Sequence, residues 1–175
     1  MRHSVVSALT ISVLAIVAGQ ASAQAPAAPE VPAALKAPAG QTVHLEALAK
    51  GVQIYECAKK PDGSFEWAFK APEASLADRS SKPLGKHYAG PTWESTDGSS
   101  VVGEVKAKDP GPLPSAIPWL LLAAKKNTGA GVFAQTKSIQ RVATAGGAAP
   151  SAPCAAANLK EVARVPYTAT YYFYR

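Results

Sequence analysis

From residue 40 onward, apolar and polar residues alternate with a period close to two, the repeat of a half-buried β-strand rather than a helix. Thr42–Leu48 places Val43, Leu45 and Ala47 on one face. Gly51–Cys57 alternates again, with Val52 and Ile54 on one side and Tyr55 and Cys57 on the other. Pro61-Asp62-Gly63 supplies turn chemistry before Phe65–Phe69, so the two runs are expected to form a hairpin. A second hairpin is expected from Trp93–Ser95 and Ser100–Val105 around Thr96-Asp97-Gly98. Further strands are predicted over 132–142 and 167–174. The last carries Tyr171 and Phe173 on one face and Tyr172 and Tyr174 on the other, as a strand covered on both sides would. Ile117–Ala124 is continuously apolar and fits a buried strand or a short helix equally well. Ala71–Asp78, with Pro72 near its start, is expected to make a turn or two of helix. Pro110–Pro114 and the Gly146–Pro153 region read as loops. The expected fold is all-β, an antiparallel sandwich or barrel of about eight strands with minor helical turns.

The first residues belong to a different pattern. Met1-Arg2-His3 is followed by an apolar run from Val5 to Ala18 and then by Ala21-Ser22-Ala23. That is the layout of a secretory signal peptide cleaved near Ala23, and the run is too short for a membrane-spanning helix. No Cys lies near the cleavage point and no Arg pair precedes the apolar run, against lipoprotein and twin-arginine export. Residues 24–39 are rich in Pro and Ala and read as an extended linker. The organisation expected is a signal peptide over 1–23, a linker over 24–39 and one β-rich domain over 40–175, exported to the periplasm or beyond, with no membrane span.

Composition narrows the function classes. The chain has 175 residues, a formal charge of +6, 17% charged and 47% hydrophobic residues. This is too apolar for a disordered chain and lacks the dense basic stripe of a nucleic-acid-binding protein. The lysines at 59–60, 106, 108 and 125–126 fit solvated strand edges. The only two cysteines, Cys57 and Cys154, have no metal-finger spacing. In an oxidising compartment such a pair is most simply one disulfide.

Several phrases also carry a resemblance. They are Gly51-Val-Gln-Ile-Tyr-Glu-Cys57, His87-Tyr-Ala-Gly-Pro-Thr-Trp-Glu94 with Asp97-Gly98-Ser99, and Ile117-Pro-Trp-Leu-Leu-Leu122. Ile139-Gln-Arg-Val142 with Thr144-Ala-Gly-Gly147, Cys154, and Pro166-Tyr167 with Tyr172-Phe-Tyr174 complete the set. In order and spacing they resemble the exported domain-of-unknown-function family numbered 3455, over nearly all of residues 40–175. The resemblance implies secretion and a β-rich domain, and no reaction. A nicotinamide-dependent dehydrogenase is excluded, since no G-x-G-x-x-G opens a βαβ unit.

The densest polar and aromatic cluster is His87, Tyr88, Trp93, Glu94 and Asp97, bent around Gly90-Pro91. An imidazole beside a carboxylate has the parts of an acid–base pair, and the rings suit stacking on a flat ligand. The bland alternative is core aromatics, an exposed Glu94 and an Asp97-Gly98 turn. Arg141 is either an anion contact inside a pocket or a strand-face partner of Glu94 or Glu104. Trp119 caps a pocket mouth or belongs to the core. His44 and His87 with Glu46, Glu56, Glu94 or Asp97 would be a metal set without ligand spacing, so no metal and no cofactor are expected. The candidate ligand-binding residues are therefore His87, Tyr88, Trp93, Glu94, Asp97, Trp119 and Arg141. The leading expectation is a secreted or periplasmic module that binds a small molecule or glycan. A small β-barrel enzyme using His87 with Glu94 or Asp97, and a structural envelope or stress protein with no pocket, are the alternatives.

Overall fold

A computed structural model describes residues 26–175; the expected signal peptide and the Ala23 cleavage point lie outside the described residues. Eight antiparallel strands form a closed barrel: β1 (Val43–Lys59), β2 (Phe65–Ala77), β3 (Pro83–Tyr88), β4 (Thr92–Ser95), β5 (Ser100–Asp109), β6 (Trp119–Thr128), β7 (Ser138–Gly146) and β8 (Val162–Tyr174). Each strand pairs with the next, and β8 closes the ring against β1. Closure leaves no sheet edge, and an eight-stranded barrel has an interior wide enough for side chains or one small ligand. Helical structure among the described residues is confined to two short 3-10 turns, Ala33–Leu35 and Ala156–Asn158.

Both expected hairpins are present. In the first, the Gly63 N–H bonds to the Lys60 carbonyl and the Lys60 N–H to that of Ser64, with Gly63 at φ +85°. In the second, the Gly98 N–H bonds to the Ser95 carbonyl. Three expectations need correction. The runs at 42–48 and 51–57 are one continuous strand of 17 residues, since Gly51 is absorbed where β1 meets β2. A Cβ at Gly51 would lie 2.1 Å from the Glu73 carbonyl oxygen, so the close approach of the two strands requires glycine there. Ala71–Asp78 makes no helical turn but runs as β2 through Ala77, where Ala74 and Leu76 face inward; pairing with β1 and β3 outweighs the local helical signal. Ile117–Ala124 resolves as strand from Trp119 onward, and the strand expected from Val132 begins only at Ser138.

The barrel interior is layered. Trp93, Val101, Leu122, Phe133, Ile139 and Phe173 form its apolar part. Gly103 makes room for Trp93, since a Cβ there would lie 2.9 Å from the indole ring. The second face of β8 is also covered, as its aromatics on both sides require. Tyr172 and Tyr174 pack outside the barrel with Val43 and Val142, under Val31 and Ala37 from the N-terminal segment. Leu35 of that segment is fully buried, and its carbonyl accepts a 2.6 Å hydrogen bond from the Gln140 side-chain amide. Cys57 on β1 and Cys154 in the β7–β8 connection form the expected disulfide, with Cα atoms 5.4 Å apart.

Candidate functional site

The alternation of β1, β7 and β8 sends Gln53 and Tyr55, Arg141, and Tyr167 and Tyr171 to the same end of the interior. Around them a cleft of about 260 Å³ is lined by Gln53, Tyr55, Phe69, Pro72, His87, Pro91, Val105, Ile117, Pro118, Leu120 and Arg141. Phe69 and Val105 are about half exposed and form its rim. His87 and Arg141 are 2% and 9% exposed and lie within it. None of the lining residues is acidic. A larger groove of about 440 Å³ runs past Leu48, Ser75, Asp78 and Thr168, but no charged side chain in it is buried.

The His87 ring stacks on Trp93 with centroids 4.4 Å apart and meets Tyr171 edge-on at 5.1 Å. Its Nδ1 lies 2.8 Å from the Thr92 carbonyl oxygen, which only accepts, so Nδ1 carries the proton and donates. Burial pushes the His87 pKa down to about 3. The ring is therefore neutral near pH 7 and keeps Nε2 as an acceptor.

Arg141 is anchored by Nε and Nη2, which donate to the Pro118 carbonyl at 3.1 and 2.8 Å. Among the described residues no carboxylate forms an ion pair with it. The expected alternative partners are engaged elsewhere: Glu94 with Lys86 at 3.1 Å and Glu104 with Lys106 at 3.0 Å. Gln53, Tyr167 and Tyr171 neighbour one another beside the guanidinium, yet Gln53 Nε2 and both hydroxyls are buried without a full hydrogen bond. Burial raises the pKa of both phenols, so they remain protonated donors. Tyr55 is settled differently, its hydroxyl donating to the Gly147 carbonyl at 2.7 Å and its ring meeting Phe69 edge-on.

A family model described as "Protein of unknown function (DUF3455)" matches residues 38–175. The chain belongs to this family. No curated protein and no solved structure matches it. For this DUF3455 member the site rests on its own geometry.

Of the seven candidates from the sequence, the barrel brings His87 and Arg141 into the cleft and places Trp93 directly behind His87. The other four lie elsewhere. Tyr88 and Glu94 point outward, the Tyr88 hydroxyl donating to Glu94 at 2.7 Å. That bond and Lys86 lower the Glu94 pKa. Asp97 sits in the turn beyond the far end of β4, accepting from the Ser99 hydroxyl and N–H and from the Val132 N–H, contacts that hold its pKa at about 2. The acid–base pairing of His87 with Glu94 or Asp97 is thus not formed, because adjacent residues on a strand face opposite sides of the barrel wall. Trp119 packs on the outer cluster with Val142 and Tyr172 rather than over the cleft.

The metal set is likewise dispersed. His44 lies where β1 begins, beside Thr136, and Glu46 is held by Arg79 and Tyr172. Gln53, Tyr55, Phe69, Tyr167 and Tyr171 were missed as site residues. The available signal was the period-two row Gln53-Tyr55-Cys57, a polar group among inward positions, and the matching row Tyr167-Ala169-Tyr171.

Proposed function

We propose that this protein is an exported β-barrel that binds a small molecule in the cleft between Arg141, His87 and Phe69. The observation that carries the reading is the combination of an open, mostly apolar cleft with buried polar groups converging on its inner end, the usual make-up of a ligand site. Size supports it too: the cleft holds the volume of about nine water molecules, enough for a compact ligand. Few polar groups line the rim, which favours a small apolar-bodied ligand over a glycan. The disulfide and the signal-peptide pattern of the first 23 residues support export.

The test is a thermal-shift screen of the oxidised chain, expressed with its own N-terminal segment, against small aromatic and aliphatic acids, amides and sugars. A ligand at a hundred times its Kd should stabilise by ~2.7 kcal/mol, a rise of about 5–10 °C for a domain of this size. Val105→Trp, on the half-exposed rim, should abolish the rise. A screen without hits, or hits that Val105→Trp leaves unchanged, refutes the reading.

A further inference from the structure

We infer that the cleft selects an organic monoanion, a carboxylate on a compact aromatic or branched body, with the acid group on Arg141. This inference rests on the cleft being a binding site, as proposed above, and adds the chemical class of its occupant.

Arg141 is the charge the fold leaves uncompensated. A guanidinium has five N–H donors, and here a single carbonyl oxygen takes bonds from Nε and Nη2, while Nη1 makes none among the described residues. Burying such a group is unfavourable unless a counter-charge meets it. All the accessible carboxylates that the sequence offered to it are on the outside of the barrel or in turns. Its nearest titratable neighbours inside are His87, Tyr55, Tyr167 and Tyr171, each of which feels its positive charge. All four are neutral near pH 7, since burial lowers the imidazole and raises the phenols. The inner end of the cleft therefore carries one positive charge and no negative one.

The remaining groups fit the same occupant. The Gln53 amide lines the cleft with its Nε2 lacking a full hydrogen bond, and the buried hydroxyls of Tyr167 and Tyr171, set loosely against each other, Gln53 and Arg141, lie behind that lining beside the guanidinium. A carboxylate, which only accepts and offers about four lone-pair sites, is the group that suits such donors. Phe69, Pro72, Val105 and Leu120 then face the body of the ligand. A single guanidinium matches one negative charge, which favours a monoanion over a diacid. The net positive charge of the chain adds long-range attraction for anions.

Benzoate and its neutral isostere benzamide, each with nine non-hydrogen atoms, are suitable probes, titrated calorimetrically into the oxidised full chain at pH 7 and low salt. Benzoate should bind about tenfold or more tightly than benzamide, the range expected for hydrogen bonds to a charged group. Arg141→Met should remove that preference. Arg141→Lys, which keeps the charge but loses the planar fork, should weaken benzoate severalfold and leave benzamide unchanged, and it serves if the methionine variant does not fold. Equal binding of the two probes, with both lost in Val105→Trp, overturns the carboxylate inference and leaves the binding site standing. A benzoate preference that survives both Arg141 substitutions also overturns it. Failure of both probes to bind at millimolar concentration, or binding indifferent to Val105→Trp, overturns the cleft as the site and the inference with it.

Discussion

The neutral, buried imidazole of His87 should make the stability of the barrel depend on pH in a window where few other groups titrate. In the folded chain its pKa lies at about 3 because burial disfavours the charged ring. In the unfolded chain it returns to the ordinary 6.5. Between those values the unfolded state binds a proton that the folded state refuses, so stability is fully present above pH 6.5 and falls as the pH drops toward 3. From pH 8 to pH 4.5 the loss from this one group is about two pH units of linkage, ~2.7 kcal/mol. Near pH 4.5 the carboxylates whose pKa values are lowered in the fold, including Glu46 and Asp97, begin to take up protons in the unfolded chain, where a Glu titrates at 4.5, and this cost falls on both variants alike. His44 titrates in the same direction, lowered by burial and then by Arg175, so the comparison must be between variants. Urea unfolding of the wild type and of His87→Gln at pH 8, 6.5, 5.5 and 4.5 provides it. The substitution removes stacking on Trp93 at every pH, but it should also flatten the acid side of the curve by ~2–3 kcal/mol. Parallel curves for the two proteins would refute the assignment of a neutral, solvent-excluded imidazole. His44→Gln is the control and should flatten the curve less, since that ring is only half buried.

Reduction of the Cys57–Cys154 bond opens a link across 97 residues, for which chain entropy alone gives ~4.7 kcal/mol. Thermal melts with and without reductant should differ by about 10–19 °C, and a difference under a few degrees would show that the hydrogen bonds between Cys57 and the 160–161 turn hold the connection without the bond. Leu35→Ala should destabilise by about 2–5 kcal/mol in urea, since Leu35 is fully buried against the outside of the barrel. A loss below ~0.5 kcal/mol would make residues 24–39 a linker in the energetic sense as well as in composition.

The strands were legible because their signal is local. Alternation marked β1, β5 and β8, and Pro61-Asp62-Gly63 and Asp97-Gly98 marked the turns, each a device that works within a few residues. The aromatics on both faces of β8 even foretold a second covered face, although the N-terminal segment that helps cover it had no such mark. Ala71–Asp78 misled for the converse reason: its alanines fit a helix locally, while the partners that make it a strand lie 17–29 residues earlier on β1 and 6–13 later on β3.

The site was half legible for a reason of the same kind. His87 and Arg141 stood out by residue type, but Glu94 and Asp97 were grouped with His87 by nearness in sequence. In a barrel nearness in sequence places neighbours on opposite faces, and nearness in space comes from register. The groups that meet Arg141 arrive from β1, β3 and β8, over distances no short motif spans. Closure of β8 on β1 brings Gln53 and Tyr55 to the β8 side of the barrel, while the β7–β8 pairing sets Arg141 opposite Tyr171. The cleft is thus a product of closure: an open sandwich of the same strands would bring neither pairing round to a common interior, and Arg141 would have remained an unremarkable strand residue.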